Sequence, residues 1–517
     1  MNQFADTCHT PWGDLNAVTR LLSAAEAKRI DLGVAADGAV SLLQLMEQAG
    51  LVAAGWAERI LPQGYPIIIL AGAGQNGGDG WVAARVLAAR GYALTVIDFA
   101  VERQLPQEAA LNRAAAKAAG IRIERPDVFM AWPADRPALI MDALFGSGFL
   151  ADRGMPPVCA DAISKANQLG REGSVVLAID LPSGVEATTG RASDPSIRAE
   201  LAVSFVRPKI GQIAHPGVLH QHRIESDPLG ITSEKINTLL SDVGPAACLM
   251  TDRATAMLLQ PFQRDRHKGQ GGKAGLIGGH ETMPGAVVLA ARAMAMTGVG
   301  YVSVLASERL RSDLLTVLPE ALQPAGRDPS WLKNQDAIVY GPGLGDLETV
   351  SLTEVIATAK RLVIDADGLN RLARLPGWKT MLAARKMPAV LTPHVGEFKR
   401  LAAYWDDDRT AGARRLALET GCIVVLKGMS TVTAAPDGQA VLNPTGNPGL
   451  AKGGSGDVLS GLIGGFLAGG MLPFQAAAAG VYVHGKAADM AAQEKGERAL
   501  LPQDVIEFMP RVFRSLG

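Results

Sequence analysis

The sequence predicts a two-domain α/β protein in which each domain is a largely parallel sheet flanked by helices. Its 517 residues are too many for one hydrophobic core. Short apolar, β-branched runs recur through both halves, each ending in a glycine-rich or polar stretch and followed by a helical pattern, as repeated βα units require. Aromatic residues make up only 5% of the chain while glycines number 58, which suits many tight βα turns.

Charge and cysteine usage narrow the class. The net charge of −1 leaves no basic footprint for nucleic acid or an anionic membrane. Cys8, Cys159, Cys248 and Cys422 lie far apart with no Cys-x-x-Cys pair, so neither a zinc knuckle nor a disulfide framework is expected, and a reducing cytoplasm fits. Met1 to Pro11 is polar and lacks the apolar core of a signal peptide. No residue from Val458 to Val483 is charged, and that length would cross a bilayer. Gly464, Gly465, Gly469, Gly470 and Pro473 interrupt it, however, so two buried helices joined near Pro473 are expected instead.

In the first half, residues 21–60 carry apolar positions at three-to-four spacing and predict helix, with Ser23 and Glu26 spaced as a capping box. Ile67-Ile68-Ile69-Leu70 predicts a buried strand. It runs into Ala71-Gly72-Ala73-Gly74-Gln75-Asn76-Gly77-Gly78-Asp79-Gly80, and helix is expected to resume at Trp81. Gly72, Gly74 and Gly77 satisfy the dinucleotide pattern G-x-G-x-x-G, and Asp98, after the strand Leu94–Ile97, lies where a ribose-binding acid would sit. A nicotinamide-dependent dehydrogenase is one reading. Against it, the Asp79 carboxylate would crowd a pyrophosphate. Two further strands end in polar motifs, Asp142-Ala143-Leu144-Phe145-Gly146-Ser147-Gly148 and Asp180-Leu181-Pro182-Ser183-Gly184. Ligands bind beyond the carboxyl ends of parallel strands, so these acids should converge with Asn76. Asn76, Asp142 and Ser183 supply hard oxygen ligands for a cation, and Asp180 is a candidate general acid or base.

These blocks resemble the signatures of NAD(P)H-hydrate epimerase, a Rossmann-like three-layer αβα domain, and Arg207-Pro208-Lys209-Ile210-Gly211 resembles its later Lys–Gly segment. The resemblance implies interconversion of the R and S epimers of hydrated NAD(P)H with bound potassium. Asn76, Asp142 and Ser183 would be the potassium ligands. Gln75, Asn76, Gly77, Gly78, Asp79, Gly146, Ser147, Gly148 and Asp180 would contact the hydrate. Gln75, where the family usually has Asn, and Trp81, where a small or aliphatic residue is common, depart from the pattern.

Turn residues at Ser241-Asp242-Val243-Gly244-Pro245 place the domain boundary near 240, giving domains 1–240 and 241–517. The second half opens with a loop of lysines and glycines, His267 to Gly275, suited to phosphate. Pro284-Gly285-Ala286 opens an apolar helix. Strands are expected at 300–305, 337–340, 362–364, 389–391 and 422–426. Four end in Gly341-Pro342-Gly343-Leu344-Gly345, Asp365-Ala366-Asp367-Gly368-Leu369-Asn370, Thr392-Pro393-His394 and Lys427-Gly428-Met429-Ser430-Thr431.

The most informative stretch follows: Asn447-Pro448-Gly449-Leu450-Ala451-Lys452-Gly453-Gly454-Ser455-Gly456-Asp457, ahead of an apolar run from Val458. Its glycines let backbone amides approach an anion at a helix N-terminus. Asp457 would repel phosphate unless it is there to take a proton, so the loop reads as phosphoryl transfer to a hydroxyl with Asp457 as base. Lys427 and the turn Gly428 to Thr431 can hold a nucleotide's phosphates, and His394 can hydrogen-bond substrate. There is no G-x-x-x-x-G-K-[ST], which excludes a P-loop enzyme.

Together these motifs resemble the ribokinase-like αβα fold, and within it ADP-dependent NAD(P)H-hydrate dehydratase. That resemblance implies phosphorylation of the S-hydrate hydroxyl by ADP, with magnesium, and loss of phosphate to restore the nicotinamide ring. Lys427, Gly428, Met429, Ser430, Thr431 and Gly456 would contact the adenine nucleotide. Ala286, Gly343, His394 and Asp457 would contact the hydrate. Lys452, where a hydroxyl or small residue is often found, would add positive charge near phosphate. The order of the two resemblances is that of a fused repair enzyme: substrates NAD(P)HX and ADP, a cytoplasmic location, a homo-oligomeric assembly, and no nucleic acid or membrane. The rival readings are a ribokinase-like kinase of a small metabolite with a Rossmann-like partner domain, and a nucleotide-binding regulatory protein.

Overall fold

The computed structural model describes residues 19–517 except 39, 101–102, 260, 263, 325–329, 348–349 and 406. The polar start and Cys8 lie outside the described residues. The chain divides into two compact units, residues 21–244 and residues 245–517, with the chain before Leu21 grouped with the second.

The first unit is built on a seven-stranded parallel sheet. Its order is Ile123–Glu124, Leu94–Asp98, Ile67–Ala71, Leu139–Ala143, Val175–Ile179, Ala199–Phe205 and Gln221–Asp227. Alternate side chains of the central strands serve different layers, as the period of two dictates. Ile67, Ile69, Met141 and Ile179 pack with Ala53, Trp81 and Leu87 of the helices Leu42–Ile60 and Gln75–Ala89. Ile68, Leu70, Ile140 and Ala178 pack on the other face with Ile163, Ala166 and Leu169 of the helix Pro157–Arg171. Three layers result. The capping box at Ser23 forms: its backbone and Glu26 exchange hydrogen bonds at the start of the helix Ala24–Ala36.

The second unit carries a ten-stranded sheet ordered Thr19–Leu21, Ala247–Leu249, Ala440–Leu442, Val432–Ala434, Ile423–Leu426, Val390–Leu391, Leu362–Ile364, Ala337–Tyr340, Lys273–Ile277 and Tyr301–Leu305. Six strands from Ile423–Leu426 to Tyr301–Leu305 are parallel. The hairpin Val432–Ala434 and Ala440–Leu442 is antiparallel. Its three-residue strands fall below the length at which a sequence pattern distinguishes a strand from a loop, so it was not expected. Leu276, Val339, Val363 and Val425 face the helices Pro284–Ala295, Ser455–Ala468 and Pro473–Lys495. The uncharged stretch from Val458 is thus two buried helices that break before Pro473. Among the described residues no helix is long and apolar enough to cross a membrane.

Both glycine loops end earlier than the sequence suggests. Helix begins at Gln75 rather than Trp81, and at Ser455 rather than Val458. Asn76 to Gly80 and Ser455 to Asp457 are therefore helical, the latter a first turn, and their glycines serve packing as well as amide exposure. A Cβ on Gly77 would lie 2.0 Å from the Gly72 carbonyl oxygen. In the helix Ser455–Ala468, a Cβ on Gly461 would lie 2.1 Å from the Ala290 carbonyl oxygen of the helix packed beside it. Gly461→Ala should therefore destabilise the second unit by about 1–3 kcal/mol through overpacking. By contrast Gly55→Ala, at a helical site with open space around it, should stabilise by roughly 0.5–1 kcal/mol. Denaturant unfolding of the two variants checks both signs.

Candidate functional site

In the first unit the parallel strands deliver their polar ends to one edge. Asp142 is fully buried at the end of its strand, opposite Leu70 in register. Ser183 donates to it twice, from Oγ to Oδ1 at 2.6 Å and from the backbone N–H to Oδ2 at 2.8 Å, and the Leu144 N–H donates to Oδ1 at 3.2 Å. Asn76 Nδ2 donates to the Phe145 carbonyl at 2.9 Å, and the Phe145 N–H donates to Ser183 Oγ at 2.9 Å. Asn76, Asp142 and Ser183 are thus gathered around one peptide. Two features of the group are uncompensated. Asn76 Oδ1 is buried without a donor. The Asp142 carboxylate has no ion pair among the described residues, and burial pushes it up to about 6 despite its hydrogen bonds from Ser183 and Leu144. Buried oxygens lacking positive charge fit the hard-ligand preference of a cation.

Beside this group stands a cluster of acids around one ammonium. Lys209 Nζ pairs with Asp180 Oδ1 and donates to the Phe205 carbonyl at 2.9 Å. Asp180 is held at φ +68°, a conformation rare for a residue with a side chain, by its N–H to the Val203 carbonyl at 2.8 Å and by Gln212 Nε2 to its own carbonyl at 3.0 Å. Burial, reinforced by the Asp180 and Asp31 charges, holds Asp79 well above the usual carboxylate range. Burial likewise pushes Asp31 up to about 6, with Lys209 opposing and Asp180 adding to the shift. The site thus sets carboxyls whose proton affinity is raised beside the Lys209–Asp180 ion pair, an arrangement suited to acid and base work in one pocket. Asp79 lies within the helix Gln75–Ala89, past its first turn, not in a pyrophosphate loop.

The remaining expected contacts line the same edge. Gly146 lies against Asn76, where an added Cβ would stand 3.1 Å from the Asn76 Cβ, and Ser147 and Gly148 continue that turn outward. Gly77 and Gly78 are buried within the helix. Gln75 is exposed and donates to Glu108 Oε2 at 3.2 Å. Trp81 is fully buried. The dehydrogenase reading loses its acid: Asp98 is almost fully buried, pairs with Arg113 and accepts from the Ala100 N–H at 2.9 Å, so it is committed to structure. Asp31 and Lys209 had no assigned role in the sequence. Asp31 follows the buried Ile30 on its helix, and an acid beside a buried position was the available signal.

In the second unit Lys427 occupies the centre. Its Nζ donates to Asp365 Oδ1 at 2.8 Å and lies 3.9 Å from Glu397 Oε2. The helix Val395–Leu401 begins at His394, whose Nδ1 accepts from the Gly396 N–H at 2.9 Å while Glu397 Oε2 accepts from the His394 N–H at 2.8 Å. The His394 ring is about half exposed beyond this cap, and His394 bridges to Lys427 along the strand ends. Gly456 adjoins the ammonium: a Cβ there would lie 3.3 Å from Lys427 Nζ. Burial pushes Asp457 up to about 7, the Asp365 charge adding to the shift, Lys427 opposing it, and Asp367 and Glu397 reinforcing it. Burial disfavours the Lys427 ammonium, but Asp365 and Glu397 outweigh it and hold it protonated.

Around this centre, Gly343 (φ +55°) touches Ala286, with an added Cβ 2.8 Å from the Ala286 Cβ, so two distant segments meet as expected. The turn Lys427 to Thr431 closes on itself: Thr431 Oγ1 donates to the Gly428 carbonyl at 2.8 Å, Met429 is exposed, and Ser430 has φ +52°. Lys452 differs from expectation. Its ammonium donates to the carbonyls of Arg498 at 2.8 Å and Leu500 at 2.5 Å, tying the loop to the segment after the long helix. His484, on the helix Pro473–Lys495, is buried behind the loop with Nε2 lacking a partner; burial pushes it down to about 4, its contact with the Ser455 backbone opposing, so it is neutral.

Fold and sites define a two-domain α/β enzyme. One sheet edge combines a buried oxygen cluster with neighbouring acids, and the other sets a carboxyl of near-neutral pKa against a glycine-rich loop. Comparison with known proteins agrees. Residues 42–211 match the family model of the YjeF-related protein N-terminus, and residues 274–511 match that of NAD(P)H-hydrate dehydratase. The bifunctional NAD(P)H-hydrate repair enzyme Nnr of Moorella thermoacetica is 36% identical over 96% of this chain and 97% of its own length; that of Escherichia coli is 34% identical over 92% and 90%. Among solved structures, the ADP/ATP-dependent NAD(P)H-hydrate dehydratase of Bacillus subtilis, co-crystallized with ATP/Mg2+, is 32% identical with a TM-score of 0.47 and covers 53% of this chain and all of its own. The chain belongs to the family of bifunctional NAD(P)H-hydrate repair enzymes.

Because Asp365 both repels Asp457 and competes with it for Lys427, Asp365→Asn should lower the pH at which Asp457 titrates, from about 7 toward the ordinary carboxylate range. Carbon-detected NMR titration of the Asp457 carboxyl measures the shift and its sign.

Proposed function

We propose that the second unit dehydrates S-NAD(P)HX using ADP, and that the first unit epimerises the R form to supply it. The observation that carries the first statement is Asp457: a carboxylate raised to about 7, at the first turn of the helix behind the glycine loop and beside the only ammonium of its cluster. Asp457 takes the proton of the substrate hydroxyl as that oxygen attacks the terminal phosphorus of ADP. The bond from that phosphorus to the bridging oxygen breaks, releasing AMP. Phosphate then leaves with the carbon–oxygen bonding electrons, and the ring loses a proton to restore the double bond. Phosphate is a far better leaving group than hydroxide, which is the reason to phosphorylate first. In this reading Lys427 to Thr431 and Gly456 hold the nucleotide, and Ala286, Gly343 and His394 contact the hydrate. Asp365, Asp367, Glu397 and Asp457 outnumber Lys427, so this pocket suits magnesium arriving on ADP phosphates, where it would offset phosphate charge.

Epimerisation inverts a carbon that bears both a hydroxyl and the ring nitrogen. One of those bonds must break and re-form on the other face, and a proton must be delivered and recovered. Asp180, paired with Lys209, and Asp79, whose carboxyl burial holds well above the usual range, would carry that exchange. Asn76, Asp142 and Ser183 would hold potassium, supported by the unpaired Asn76 Oδ1; the ion would supply positive charge to orient the hydrate near Asp180. Gln75 to Asp79 and Gly146 to Gly148 would contact that hydrate. The domains assigned are 1–240 and 241–517, in a cytoplasmic homo-oligomer.

The direct test mixes the full chain with R- or S-NADHX and ADP and follows NADH absorbance; no regeneration from either epimer would reject the reading. Asp457→Ala should lower the rate of dehydration about 10²–10⁴-fold and leave epimerisation intact. The base must be ionised, so kcat/KM for dehydration should fall as pH drops through about 7. Asn76→Ala and Asp142→Asn should each remove the potassium-dependent rise in Tm and slow epimerisation, with S-hydrate dehydration unaffected.

A further inference from the structure

Beneath the turn Lys427 to Thr431 lies a cation that neither sequence nor family resemblance singled out. Arg409 opens the helix Arg409–Thr420, which precedes the strand Ile423–Leu426 and packs against it. The residue is 8% exposed. Its Nη2 donates to the Lys427 carbonyl at 2.7 Å and to the Leu426 carbonyl at 3.3 Å. Its Nε is buried with no acceptor, and Nη1 makes no hydrogen bond among the described residues. No carboxylate pairs with the guanidinium among them either. Gly428 (φ +140°) covers it so closely that an added Cβ would lie 2.7 Å from Nη2 and 2.9 Å from Nη1. The glycine therefore leaves the guanidinium screened from the exposed side of the turn by backbone alone.

A guanidinium cannot deprotonate to escape burial, and a buried charge is normally paired. Two carbonyl dipoles satisfy one nitrogen and leave the net charge uncompensated. A turn that meets a nucleotide's phosphates offers a counter-charge that arrives with the ligand. This rests on the dehydratase reading above. We propose that Arg409 is a nucleotide-recognition residue of the second unit, holding the Lys427 to Thr431 turn in place and supplying buried positive charge that the phosphates of ADP neutralise. The role is distinct from that of Lys427, whose ammonium is already compensated by Asp365. It also accounts for Gly428: any side chain there would displace the guanidinium or separate it from the ligand.

The proposal separates charge from scaffolding by the number of phosphates on the ligand. Binding of ADP, AMP and adenosine to the full chain is measured by titration calorimetry for wild type, Arg409→Gln and Arg409→Lys. Arg409→Gln should weaken ADP about tenfold or more, AMP less, and adenosine little, because only the charged contact is lost. Arg409→Lys should recover part of the ADP affinity. Retained adenosine binding shows that the variant's turn is folded. An equal loss for all three ligands would reduce Arg409 to a scaffold and overturn the proposal, as would unchanged ADP affinity in Arg409→Gln. A wild-type chain that binds none of the three would instead reject the nucleotide reading on which the proposal stands.

Discussion

The 2.8 Å pair between Lys427 and Asp365 is the contact on which the second site depends. It joins the ends of two parallel strands separated by Val390–Leu391 and so fixes the sheet's carboxyl edge. It also occupies the ammonium nearest Asp457. Had Lys427 paired with Asp457 instead, the carboxylate would be stabilised as the anion and would be a weak base. With Lys427 engaged by Asp365, burial and the neighbouring acids raise Asp457 to about 7, where it can accept a proton yet remain largely ionised at slightly alkaline pH.

Both units use charge that their own residues leave incomplete. In the first, Asn76 Oδ1 and the Asp142 carboxylate are buried acceptors without a cation. In the second, Arg409 is a buried cation without an anionic partner among the described residues. Leaving such groups unmatched is costly to the free protein, and the cost becomes binding energy when the matching ligand arrives. Under the proposed function, the opposite signs at the two edges would match a cation in one and a phosphorylated nucleotide in the other.

Much of this was legible in the sequence because βα units place polar residues at strand ends, and each strand end is short and punctuated. Asn76, Asp142 and Ser183 converge as their motifs imply, and Ala286 meets Gly343. What was not legible depends on side-chain direction. Asp98 has the spacing of a ribose ligand, but Arg113, fifteen positions on, takes its carboxylate. Lys452 looks like a phosphate-facing lysine, yet the carbonyls of Arg498 and Leu500 lie nearer to it. Asp31 and Arg409 belong to none of the strand-end motifs, and only packing brings them to the two sites. The helix starts were misplaced for a related reason: glycine lowers helix propensity, and the tertiary contacts at Gly77 and Gly461 override it.

The glycine loop before Asp457 resembles that of a kinase, and the structure indicates why a carboxylate proposed as base sits in a helix rather than in the loop. An Asp in a flexible loop would be solvated, with an ordinary carboxylate pKa. Placed in the first turn of Ser455–Ala468, Asp457 has a fixed backbone, burial against the following apolar turns, and three acids from two other strand ends facing it. A helix N-terminus by itself would favour the carboxylate anion and lower its pKa. The observed shift is upward, so desolvation and the acids around Lys427 outweigh the helix dipole. The same helix end keeps its backbone amides directed at the anion loop. In the proposed reaction phosphate would be held by backbone N–H groups, which do not titrate in this range, while proton transfer would fall to one side chain whose affinity for the proton is set by its surroundings.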